Sequence, residues 1–208
     1  MEPISTKKVH RYAITAMAIF FIAVFLGYAT GSTNQEGTAQ TYQNFKTMQE
    51  DPLSAQAPSI QAIILIISNA VIGLSIQLTG PISARLLRIW FGSIFILAYN
   101  GIILGELCFV ISKSIGLKIM ILGMLPHIMF ELSAVFLCGG LGLLMGYNIF
   151  IDQCKEPNYS YSEIYNEIKE SIKFYCKMIL PIFIVAGIVE IYISQRVISW
   201  LIANRGAI

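Results

Sequence analysis

The chain has 208 residues, 56% of them hydrophobic and 12% charged, with a net charge of +2 and a mean hydropathy of +0.69. A soluble domain carries about a quarter charged residues, so this balance excludes an ordinary soluble globular protein and indicates an integral membrane protein. Lys and Arg fall in small groups between apolar runs and form no basic face for nucleic acid, and the four cysteines show no C-x-x-C spacing that would predict a disulfide or a zinc knuckle.

A bilayer core of about 30 Å needs roughly 20 apolar residues as helix, and without barrel-like alternation the spans must be helices. The first predicted span is 11–30, "RYAITAMAIFFIAVFLGYAT", longer than the apolar core of a signal peptide and read as an uncleaved anchor. A polar loop at 31–57 follows, then spans at 60–79 and 89–110. The apolar "GLKIMILGM" is too short to cross. One straight helix over 117–148 would be about 48 Å long, well over the bilayer core. Proline is tolerated in a first turn and breaks a helix interior, so a new helix is expected to begin at Pro126. The segment before it then becomes a short re-entrant or interfacial half-helix. The fourth span is 126–148 and the fifth 175–195. Between them, "SYSEIYNEIKESIKFY" puts Tyr161, Ile164, Ile168, Ile172 and Tyr175 on one helical face. That pattern predicts an amphipathic helix at about 160–173 on the inner membrane surface, with a solvated connector as the alternative reading. The expected architecture is one integral membrane domain over 1–208, an all-α polytopic transmembrane bundle with about five spans.

Lys7, Lys8 and Arg11 assign the N-terminus to the cytoplasm by the positive-inside rule. Loop 31–57 has Glu36, Glu50 and Asp51 against Lys46 and falls outside, Arg85 and Arg88 fall inside, and the C-terminus falls outside. The expected location is the cell membrane.

Ionisable groups inside spans are costly, so each is a candidate site residue. Together with two in-span amides, the set is Asn69, Asn100, Glu106, His127, Glu131 and Glu190. In the expected orientation Glu106, His127, Glu131 and Glu190 share the outer half of the bilayer. His127 and Glu131 lie four apart in "LPHIMFELSAVFLCGGLGLLMG" and so share a helix face. Three readings are open. The pair can anchor helices to each other. With Glu190 it can ligate a divalent metal, zinc being suited to imidazole plus carboxylates. Or the groups can pass protons or ions in a transporter. His127, Glu131 and Glu190 are expected to converge on one buried site in the outer half of the membrane.

Gly101 and Gly105, and Gly142 and Gly146, form small-x-x-x-small pairs that let helices approach closely. They predict a homodimer through glycine faces, with Asn69 and Asn100 hydrogen-bonding across the close contacts. No phosphate loop, Ser-His-Asp set or two-His metalloprotease motif occurs, which favours a non-enzymatic role.

Asn69, "YNGIILG" at 99–105, "LPHIMFELSAVFLCGGLGL" at 125–143 and "AGIVEIYIS" at 186–194 together resemble the stage II sporulation protein M family, in an order and spacing that cover about 60–195. The family usually has a glycine after the proline-histidine pair, where this chain has Ile128. The resemblance carries over Asn69, Asn100, Gly101, Gly105, Pro126, His127, Glu131 and Glu190 as pattern positions without assigned chemistry. It implies a membrane scaffold or assembly partner for an extracytoplasmic wall hydrolase in cell-envelope remodelling. The other function class left open is a small transporter or metal-dependent membrane protein using the His/Glu cluster.

Overall fold

The computed structural model describes residues 6–34, 37, 40, 43, 57–155 and 161–204. Every regular element among them is a helix. These are α1 (Thr6–Thr33), α2 (Pro58–Leu87), α3 (Gly92–Ile115), α4 (Leu117–Lys155) and α5 (Tyr161–Phe174). From α5 the chain runs on unbroken through a π-helical segment (Tyr175–Ile179), α6 (Leu180–Val189), a second π segment (Glu190–Ser194) and α7 (Gln195–Ala203). Among the described residues five stretches are long and apolar enough to cross a membrane: Lys7–Thr33, Pro58–Leu87, Gly92–Ile115, Leu117–Lys155 and Ile164–Ala203. The protein is therefore an all-α, multi-pass membrane bundle. The expected loop at 31–57 lies largely outside the described residues, with α1 reaching Thr33.

Lipid tails are as apolar as leucine, so helices in a membrane associate through close packing and not through hydrophobic burial. Large apolar side chains such as Phe25 and Leu86 accordingly stay exposed on the bundle surface, while glycines line the seams. Along the seam between α1 and α3, a Cβ on Gly27 would strike the Ile102 backbone, and one on Gly105 the Val24 carbonyl. α4 is the central helix. Its Gly140 abuts Ala13 and Val9 of α1, its Gly142 abuts Ile76 and Gln77 of α2, and its Gly146 abuts Gly80 and the Trp90 carbonyl. The Phe20 and Phe136 rings meet edge-on at 5.5 Å and brace α1 against α4. The glycine faces expected to carry self-association are thus filled within one chain. Spacing shows that a backbone approaches closely, and the nearest backbone here is intramolecular.

Pro126 does not start a helix. It lies inside α4, which is continuous from Leu117 to Lys155 and 39 residues long. The break falls instead at Gly116, whose φ of 93° suits glycine and ends α3. Packing explains the continuity: Gly123, three residues before the proline, lies so close to Ile198 of α7 that a Cβ would collide with it. The expected half-helix is therefore the first part of α4, held against α7. Neighbouring helices of this kind are what make proline tolerable inside membrane helices.

The amphipathic helix expected at about 160–173 is α5. Its buried stripe runs through Ile164 and Ser171 and continues into Tyr175 of the π segment, whereas Ile172, expected on that face, is exposed. Ile164 packs with Ala84 and Ile149. Gln77 Nε2 donates to Ser171 Oγ in a buried bond, and Tyr175 OH donates to the Ala70 carbonyl at 2.5 Å. These contacts dock α5 on the bundle. The turn between Tyr175 and Ile179 precedes Pro181, whose ring and missing N–H disfavour a regular α turn at Lys177, and the wider π turn accommodates it.

Candidate functional site

Two helices face each other with pairs of polar residues four apart. α4 supplies His127 and Glu131, and the last spanning helix supplies Glu190 and Ser194, the first and last residues of its second π segment. The Gln195 N–H bonds back to the Glu190 carbonyl, five residues earlier, so the segment holds one more residue than an α turn. Such π turns recur at functional sites. One ligand atom from each of His127, Glu131 and Glu190 lies within 4.8 Å of the other two. His127 is 7% exposed and Ser194 1%, and His127 Nδ1 lies 2.9 Å from Ser194 Oγ. With Nδ1 engaged, Nε2 is the ring nitrogen left for a further partner. Glu131 and Glu190 are half-buried, and among the described residues neither makes a hydrogen bond or an ion pair.

A cavity of about 210 Å³ opens beside this cluster. It is lined by Phe20 of α1, Asn69 of α2, Asn100 of α3, His127 and Glu131 of α4, and Phe183 of α6, so every spanning stretch contributes a wall. The asparagines do not bond across the helix contacts as expected. Asn100 Nδ2 donates to the Ile96 carbonyl of its own helix at 2.8 Å, and the buried Asn69 Nδ2 has no partner among the described residues. Both amides serve the cavity wall instead of a seam. Glu106 does not join the three-residue group.

The convergence expected of His127, Glu131 and Glu190 is present. The spacing argument missed Ser194, although a signal existed: it stands four residues after Glu190, as Glu131 stands four after His127. It also missed Phe183, fully buried, whose ring closes the cavity on the α6 side and fills the space left by Gly73.

The family model for stage II sporulation protein M matches residues 16–195. This chain belongs to the stage II sporulation protein M family. No curated protein and no solved structure matches it. In this stage II sporulation protein M family member, the matched stretch contains the whole His127, Glu131, Glu190 and Ser194 constellation and both cavity asparagines. The proline-histidine phrase lies within a continuous helix, and Ile128 contributes to the cavity lining at the position after it.

Proposed function

We propose that this protein is a non-enzymatic membrane scaffold that assembles an extracytoplasmic envelope protein during cell-envelope remodelling. The observation that carries this reading is the family match, which contains the three middle membrane stretches whole and most of the first and the last. The fold supports it, since backbone-to-backbone seams at Gly27, Gly105, Gly142 and Gly146 give a bundle suited to serve as a platform. The membrane orientation that fits places the N-terminus in the cytoplasm and the C-terminus outside, following the Lys and Arg distribution.

Photo-crosslinking from position 117, at the exposed Leu117 beside the expected outer turn, tests the partner claim in living cells. The expected product joins the chain to a protein with an extracytoplasmic domain, and deleting the chain should delocalise that protein. Crosslinks to lipid alone, with no change in the distribution of envelope hydrolases, would count against a scaffold. Orientation is tested with the exposed Cys154 at the end of α4. An impermeant maleimide should label it in inside-out vesicles and spare it in intact cells; the reverse pattern inverts the topology.

A second reading, a transporter, is favoured by the cavity beside the His/Glu cluster. Ion or proton flux in proteoliposomes that is lost on Glu131→Gln would replace the scaffold reading.

A further inference from the structure

We propose that His127, Glu131 and Glu190 form a divalent transition-metal site, with zinc the fitting ion. The inference concerns a ligand of the bundle itself and stands whether the chain is a scaffold or a transporter. Geometry is the first support. The three ligand atoms lie within 4.8 Å of one another. Ligands at ~2.0–2.2 Å from a tetrahedral zinc sit ~3.3–3.6 Å apart, a gap that side-chain rotation closes. No other group of three or more His, Cys, Asp and Glu residues among the described residues comes together in this way.

Charge is the second support. Two carboxylates stand side by side in a membrane-embedded bundle, and among the described residues neither has a Lys, Arg or hydrogen-bond donor on it. An apolar setting opposes both isolated charges and like-charge neighbours. A dication cancels two carboxylates while imidazole binds as the neutral base, so the loaded site has no net charge. That balance accounts for two acids against one histidine, which a simple His–Glu pair does not.

Outer contacts are the third support. Histidines that bind metals characteristically hold a partner on the other ring nitrogen, which fixes the ring. Ser194 Oγ at 2.9 Å from Nδ1 fills that role and leaves Nε2 for the ion. Three protein ligands leave a fourth position open, the arrangement of zinc sites that also take water or substrate. The cavity lies alongside, and Asn69 Nδ2 on its wall is a donor without a partner among the described residues, suited to an oxygen bound at that position. The donor set is one nitrogen and two oxygens without thiolate, since the buried Cys138 is not part of the group. That set selects zinc, with ferrous iron or manganese as competitors, over copper(I).

The test uses full-length protein in detergent, stripped with a chelator and then loaded with Zn²⁺ or Co²⁺. About one zinc per chain should remain after gel filtration, and cobalt should give the intense visible bands of a four-coordinate ion. Zinc should raise the melting temperature. Glu131→Gln and Glu190→Gln keep side-chain size, so each should fold, melt no lower than the metal-free parent, and lose zinc affinity by at least about tenfold. Ser194→Ala should weaken zinc by about 10–100-fold through the ring it positions, with four-coordinate cobalt bands retained. A folded, reloaded parent that holds no metal overturns the site. So does zinc bound equally by the parent and both Gln variants, because the ion then sits elsewhere.

Discussion

Gly142→Leu is expected to destroy the bundle, not to separate two copies of it. The position faces Ile76 and Gln77 carbonyls and the buried Ser93 hydroxyl, so a side chain there meets mainly fixed backbone. Overpacking that flexible neighbours can relieve costs about 1–3 kcal/mol, and a rigid backbone wall places this substitution beyond that range. α2 would have to leave α4, and with it Gly80, which abuts the Gly142 carbonyl. The measurement is size-exclusion chromatography and thermal unfolding in mild detergent. Aggregation or loss of the cooperative transition is the expected outcome. A well-behaved Gly142→Leu protein of half the parent's mass, melting as the parent does, would instead place the glycine at an interface between copies.

Gly105→Leu should produce a different failure, the release of α1 from an otherwise assembled bundle. Gly105 abuts the Val24 carbonyl and the Tyr28 N–H, and Gly101 abuts Ala23 and the Phe20 carbonyl. Leucine at 105 wedges the two helices apart along this seam. α1 keeps apolar faces for lipid, including Ile22 and Phe25, so it can stay inserted after it separates. The Tyr28 and Phe109 rings, 5.5 Å apart in the parent, mark the seam. Cysteines at 28 and 109 in a background without the other four should crosslink efficiently, and Gly105→Leu should reduce that yield several-fold. Unchanged crosslinking would show that α3 tolerates a side chain there. The contrast with Gly142 follows from position, because α4 contacts α1 and α2 at once while Gly105 serves one seam.

Much of this molecule can be read from its letters, for reasons that differ by feature. The spans are legible because lipid demands long apolar helices. The cluster is legible because His127, Glu131 and Glu190 are costly in such helices and two of them share a face. The helix break was misplaced because Pro126 acts locally, whereas the contact of Gly123 with Ile198 links residues 75 apart in the chain. Ser194 is only faintly legible for a related reason. Hydroxyls in these helices commonly bond to their own backbone, as Ser75, Thr79 and Ser133 do, so the four-residue spacing from Glu190 does not by itself single out the one that turns to a histidine. Glycine spacing revealed close approach but carried no address for the partner helix.

The two π segments make the last spanning helix an α-helix with two residues spliced into it. An extra residue in an α-helix shifts the phase of everything downstream by about 100°. Periodicity counted from Ile164 therefore loses step at Tyr175 and again at Glu190, and α7 belongs to a frame two residues removed from that of α5. Ile198 meets Gly123 in that displaced frame. A one-residue deletion between Glu190 and Ser194 would continue the α-helical lattice of α6 into α7 and turn Ile198 off its seat, so the irregular turn acts as the indexing tooth that sets how α7 is clocked against α4.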